Sequence, residues 1–251
     1  MGHWYNKDGS PCYRIVGKNG VERDTTLADA KRGGLYYSVT EIIGTVSKPG
    51  LERWKLSQLL EAASSVEALL CDDQQDWTKQ VWEKYNDSIG IFAKEGNEVH
   101  DKLEKYYVYG ELNKSDEALL NPVLAKVEEL CYTNDWSEII SEKSFASALG
   151  YGGKIDLILG DNEAILDFKT KKSDVVDKKN LRDDYVIQLA AYREAINPSA
   201  KCYNLIISTN VPGEMYLHEW PEDELKKGWN MFKLLLDFTK LSKNYDPSIV
   251  Q

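Results

Sequence analysis

From about Pro49 to Tyr132 the apolar residues of this chain recur at helical spacing, and at Ser137 the strand signals begin, running through a central hairpin that ends at Thr170. Ahead of the helical part, Trp4-Tyr5 and Cys12 to Val16 flank a Lys7-Asp8-Gly9-Ser10 turn, and Asn19-Gly20 marks a second turn before Val21-Glu22. Residues 1–36 therefore predict a small β-meander. Ser38-Val39-Thr40-Glu41 has the spacing of a capping box and starts a short helix through Ile42 and Ile43. Pro49 suits a first helical turn, and Leu51, Trp54, Leu59 and Leu60 predict a buried stripe on a helix reaching about Leu70. A second helical stretch spans Gln75 to Tyr109, with Gly90 and Gly96 as breaks, and a third runs from Pro122 to Tyr132.

The strand signals are Ser137 to Phe145, Lys154 to Leu159, Ala164 to Thr170, Tyr203 to Ser208 and Met215 to Trp220. Asp183 and Asp184 open a helix that Asn197-Pro198 ends after Ile196, and Glu222 to Lys240 predicts a closing amphipathic helix. Helices, then strands, a helix and more strands indicate a mixed α/β fold, a central mixed β-sheet flanked by helices. The expected organisation is one domain over 1–251: the meander, a helical part at 37–135 and a core at 136–251.

The two central strands form a hairpin around Gly160, Asp161, Asn162 and Glu163. A loop of two or of four residues places Asp156 directly across from Asp167, whereas three or five would send one carboxylate to the other face. Ile165, Asp167 and Lys169 share a face, and Leu166 and Phe168 point into a core. Opposed Cβ atoms lie roughly 4.5–5.5 Å apart, where like charges destabilise the pair. Such a pair needs a cation or a shared proton. Lys169 as counter-ion would make a salt-bridged hairpin; a divalent ion would make a catalytic centre.

Composition narrows the partners. The 251-residue chain carries a formal charge of −10, so a polyanion has to meet a local basic patch. The one basic concentration is Lys169, Lys171, Lys172, Lys178, Lys179 and Arg182, diluted by Asp174 and Asp177 and placed at the end of the hairpin strand. Cys12, Cys71, Cys131 and Cys202 form no CxxC pair, which argues against a zinc site or an iron–sulfur cluster and suits a reducing compartment. No apolar run reaches membrane-spanning length and the N-terminus has no signal or transit pattern, so a soluble cytoplasmic protein with no membrane partner is expected.

Three further features bear on chemistry. Glu142, in the strand before the hairpin, is either a solvated strand residue or a third carboxylate of a site suited to Mg²⁺ or Mn²⁺. Gln188 and Tyr192, four apart, project from one helix face and either edge a core or hold a phosphate oxygen or a water. His100 lies on a helix with Glu104 one turn later, and as a ligand it would favour Mn²⁺ over Mg²⁺.

Taken in order, Gly96-x-x-x-His100, Glu142, Gly153-x-x-Asp156, Asp167-Phe168-Lys169 and Gln188-x-x-x-Tyr192 resemble the motifs of the RecB-like branch of the PD-(D/E)XK nucleases. Ser38-Val39-Thr40 followed by Leu51-Glu52-Arg53-Trp54-Lys55 is similar to the N-terminal part of the mitochondrial genome maintenance exonucleases and related phage exonucleases of that branch. The likeness covers 37–196. It implies a restriction-endonuclease-like core and a Mg²⁺- or Mn²⁺-dependent DNA exonuclease, with single strands favoured, leaving 5′-phosphates. It further implies that His100, Asp156, Asp167 and the Phe168 carbonyl bind the cation and that Lys169 is the catalytic lysine. Glu142 matches the acidic position of the preceding element, Gln188 and Tyr192 match the motif that holds water or substrate phosphate, and Lys171 and Lys172 stand where the DNA backbone would be met.

Two departures stand out. Gly153-Lys154-Ile155-Asp156 replaces the usual Pro-Asp, and the cysteine cluster that holds an iron–sulfur centre in some relatives is missing, so no such cluster is expected. The helical stretch from Leu51 to Tyr132 would form a wall or arch, with Trp77, Trp82, Tyr85, Tyr106 and Tyr107 either stacking on bases or packed as core. Two other classes fit the same residues: an endonuclease or junction-cleaving nuclease of the superfamily, and a non-catalytic DNA-binding protein.

Overall fold

The computed structural model describes residues 3–18, 20–68 and 71–250, and its elements follow the two spacing regimes of the sequence. It divides into two units, one of Met1–Val46 with Lys102–Gln251 and one of Ser47–Asp101. The first holds β1 (Trp4–Tyr5), β2 (Arg14–Val16), β3 (Glu22–Asp24), α1 (Leu27–Gly33), β4 (Tyr36–Ser38) and α2 (Val39–Ile43). Helix α3 (Pro49–Ser64) belongs to the second unit, and α4 (Gln74–Tyr109) begins there and ends in the first. The first unit continues with α5 (Glu117–Asn134), β5 (Ile139–Ser147), β6 (Tyr151–Leu159), β7 (Ala164–Lys171), α6 (Asp183–Ile196), β8 (Lys201–Ser208), β9 (Met215–Glu219) and α7 (Glu222–Lys243). Among the described residues no helix is long and apolar enough to cross a membrane.

A mixed sheet flanked by helices forms the core of the first unit, consistent with a restriction-endonuclease-like arrangement. Its strands run β1-β4-β6-β7-β8-β9, with β5 on the other edge of β6. The β5–β6 and β6–β7 pairs are antiparallel, whereas β4–β6 and β7–β8 are parallel. A parallel neighbour requires a crossover, and α6 is that crossover between β7 and β8. It packs on the sheet face that buries Ile158, Ile165 and Cys202, with α7 beside it.

The predicted meander does not form as one sheet. Trp4 and Tyr5 are 4% and 3% exposed and pair with β4 inside the main sheet, whereas β2 and β3 form a separate, largely exposed hairpin. Two large aromatic side chains gain more from the core than from a polar hairpin. Asn19 of the predicted second turn and Leu70 at the predicted helix end lie outside the described residues.

Other expectations also shift. Ser38 caps α2, accepting from the Glu41 N–H at 3.0 Å. The predicted stripe on α3 is only half-buried, and Leu60 is 70% exposed. Helix α4 runs unbroken through Gly90 and Gly96, since an isolated glycine costs only about 1 kcal/mol against alanine. Helix α5 starts at Glu117 and contains Pro122, rather than beginning there. Two elements lie outside the predicted set: α1, which has a capping box between Thr26 and Asp29, and β4.

Candidate active site

Strand β6 shares one of its edges between two partners. Near its start Tyr151 and Gly152 pair with Tyr37 and Ser38 of β4, and near its end Leu157, Ile158 and Leu159 pair with Leu166, Ile165 and Ala164 of β7. Between these ladders, over 153–156, no described strand occupies that edge. The hairpin register is the predicted one, with four loop residues and Asn162 and Gly160 at positive φ. Extended one step, it sets Asp156 opposite Asp167, but the ladder has ended and the Asp156 carboxylate fills the place of a backbone partner. Its Oδ2 accepts from the Phe168 N–H at 2.8 Å. A strand residue points its N–H and C=O to the same side, so the Phe168 carbonyl faces this gap too.

Asp167 is buried, and its oxygens are held by three side chains. Oδ1 accepts from Lys169 Nζ at 2.9 Å and from Gln188 Nε2 at 3.1 Å. Oδ2 stands 2.7 Å from Lys169 Nζ and accepts from Asn204 Nδ2 at 2.7 Å. Lys169 also donates to Gln188 Oε1 at 3.1 Å, and Gln188 Nε2 donates to the Tyr192 hydroxyl at 2.9 Å. The predicted pair on α6 thus faces the predicted carboxylate and lysine on β7. Tyr192 comes this close because Gly153 lies beneath it: a Cβ there would sit 2.7 Å from Tyr192 Cε1 and 2.9 Å from the Phe145 ring.

Glu142 lies between the Ser141–Leu157 and Lys143–Ile155 pairs, and so opposite Asp156. Its φ of 56° is a left-handed conformation that costs a non-glycine residue energy. Its side chain forms an ion pair with Lys154, which also faces Glu104 at 3.7 Å. Among the described residues no group of three or more His, Cys, Asp and Glu is arranged to hold a metal ion. His100 is half-buried on α4 in the 47–101 unit.

Burial and, after it, neighbouring charges set the proton affinities. Burial, and then the charge of Asp167, push the Asp156 carboxyl up to about 7. Burial pulls the Lys169 ammonium down, but Asp167 and Asp156 outweigh it and hold it above its ordinary range. Burial raises the Glu142 carboxyl despite Lys154, and burial followed by the Asp167 charge raises the Tyr192 hydroxyl. The gap therefore sets two carboxylates close together with little water to stabilise their charge. Its donors, two carboxylates and a carbonyl, are the oxygen ligands that hard divalent cations prefer, so the residues fit such an ion.

Beside the gap, Lys169, Lys171 and Arg182 all stand over the Tyr185 ring, at 5.1, 5.8 and 5.5 Å from its centroid. Lys172 is exposed next to them. On the opposite flank, the Tyr5 and Tyr13 hydroxyls meet at 2.6 Å, and the Tyr5 ring occupies the space that a Gly152 Cβ would need. Asn204 and Trp220 are not among the predicted site residues, although an asparagine in the middle of an apolar strand is a signal the sequence carries.

No family model and no curated protein matches the chain. Among solved structures it is similar to the alkaline exonuclease LHK-Exo of Laribacter hongkongensis at 12% identity, covering 59% of this chain and 84% of that one with a TM-score of 0.28. The same exonuclease in complex with dAMP aligns at 11% identity over 59% and 85% of the two chains, TM-score 0.28. The structure of SSO0001 aligns at 14% identity over 74% and 86%, TM-score 0.29.

Proposed function

We propose that the protein is a Mg²⁺- or Mn²⁺-dependent deoxyribonuclease of the RecB-like PD-(D/E)XK type, acting as an exonuclease on DNA and leaving 5′-phosphates. The observation that carries this reading is the network joining Asp167 and Lys169 on β7 to Gln188 and Tyr192 on α6, with Asp156 across the gap. Asp156, Asp167 and the Phe168 carbonyl would hold the cation. When bound there, the ion supplies Lewis-acid polarisation of a phosphoryl oxygen and a lowered water pKa.

The protein's own groups do the rest. Lys169, oriented by Asp167 and Gln188, sets a fixed positive charge against the phosphate as its negative charge grows. The Gln188 amide and Tyr192 hydroxyl orient the phosphate or the attacking water. Lys171 and Lys172 draw in the nucleic-acid backbone despite the net charge of −10. The preference for free, single-stranded ends follows from the family resemblance. It is supported by Trp82, which is 49% exposed in the 47–101 unit with its ring 5.4 Å from Tyr85, as a stacking surface.

The test is digestion of linear single- and double-stranded DNA, labelled at either end, in Mg²⁺, Mn²⁺ or EDTA. Metal-dependent release of end nucleotides is expected, together with its loss in folded Asp167→Ala and Lys169→Ala proteins. Rapid cutting of circular single strands would instead identify an endonuclease. Binding without turnover in any metal would leave a DNA-binding protein.

A further inference from the structure

Asn204 is fully buried in the middle of β8 and faces Asp167 across the parallel β7–β8 ladder. Its Nδ2 donates to Asp167 Oδ2 at 2.7 Å and reaches the Asp167 main-chain oxygen at 3.3 Å. Its Oδ1 accepts from the Trp220 indole Nε1 at 2.7 Å. The two ends of an amide are alike in shape, so neighbouring chemistry decides which end meets the carboxylate. An indole N–H can only donate. Turning the amide over would set its NH₂ against that N–H and its oxygen against the Asp167 carboxylate, two repulsive contacts around a side chain that water does not reach. Trp220 is itself buried, and the His218 ring packs edge-on against it at 4.6 Å.

We propose that Trp220 and Asn204 are positioning residues for Asp167: the indole fixes the amide, the amide fixes the carboxylate, and its Oδ1 is thereby presented to Gln188 and both its oxygens to Lys169. Neither residue reaches the gap where substrate would react. The inference rests on the nuclease reading above and adds to it a polar relay running from the residue that follows β9, through β8, to Asp167 on β7. Groups that orient a ligand from behind typically change metal affinity or activity roughly 10–100-fold when removed.

The test uses the full chain in four forms: wild type, Asn204→Leu, Trp220→Phe and the double variant. Mn²⁺ binding is followed without DNA by the resonance signal of free Mn²⁺, cleavage is measured in parallel, and thermal melting reports folding. Asn204→Leu is expected to weaken Mn²⁺ binding and lower kcat roughly 10–100-fold. Trp220→Phe, which keeps an aromatic ring and loses only the donor side, is expected to have a smaller effect in the same direction. Because Trp220 acts through Asn204, its substitution should add nothing to the loss of Mn²⁺ affinity and kcat once Asn204 is leucine, while thermal melting reads separately the coupling in stability that any two residues in contact show. Additive effects on Mn²⁺ affinity and kcat overturn the inference. Should Asn204→Leu fail to fold, Trp220→Phe decides alone, and unchanged Mn²⁺ affinity and kcat in it overturn the inference while leaving the nuclease reading in place. A wild type that neither binds Mn²⁺ nor cleaves DNA overturns both.

Discussion

Phe168 gives its backbone N–H to the Asp156 carboxylate, 2.8 Å away, just beyond the last paired residues of the β6–β7 ladder. A side chain has taken the place of a main-chain partner, and one hydrogen bond does not offset burial beside Asp167. The proton on Asp156 is consequently held to about pH 7, well above the ordinary range near 3.9 for an unfolded chain.

That shift fixes a pH dependence. A carboxyl whose folded pKa is raised binds more protons in the native state than in the unfolded chain between the two values, so stability declines as pH rises through that window. In EDTA the melting temperature is expected to fall between pH 4 and pH 7, with a linkage slope approaching about one proton. Asp156→Asn should flatten this slope. Equal slopes in the two proteins would remove burial of Asp156 as its cause.

Lys169 holds both oxygens of Asp167, one of the carboxylates that would hold a cation. Replacing it with methionine keeps the length of the stem and removes a competitor for those oxygens. Lys169→Met is expected to bind Mn²⁺ at least as tightly as wild type while its turnover falls roughly 10²–10³-fold. Titration calorimetry and single-turnover cleavage separate the two effects, and weaker Mn²⁺ binding would contradict this account.

Glu142 holds a φ of 56° while its carboxylate pairs with Lys154. Alanine retains the backbone cost and glycine relieves it, so Glu142→Gly should be more stable than Glu142→Ala by about 1 kcal/mol in urea denaturation. Both should lose activity alike. The reverse order of stability would mean that this backbone conformation is not strained.

Lys171 and Lys172 bear on DNA affinity through charge alone. Changing either to alanine is expected to weaken binding of all sequences similarly and to lower the slope of log K against log salt by about 1. Filter binding over a salt series reads this directly, and a sequence-dependent loss would argue for base contact instead.

The hairpin was the most legible part of the chain, because a two-residue side-chain period and a short polar loop leave few registers and only one kind of face for Asp156, Asp167 and Lys169. The α6 pair was legible for the same reason, four residues being close to one helical turn. Partners distant in sequence were not. Nothing in Trp4-Tyr5 says that it pairs with residues 36–37, and Asn204 looks like an interruption of an apolar strand until Asp167 and Trp220 are seen on either side of it. The stripe on α3 misled because a run of leucines shows capacity for burial without naming a partner. Leu60 remains largely exposed.

The shared edge of β6 also bears on where this chain can be cut. A fragment starting at Trp136 would retain Asp156, Asp167, Lys169, Gln188 and Tyr192, yet it would lack β4, which pairs with Tyr151 and Gly152 at one end of the opening. Closing that end requires residues 37–38 to find partners more than a hundred positions away, the kind of distant pairing that forms slowly. Truncation to the motif-bearing half should therefore yield every acid and base of the centre without the frame that keeps them apart.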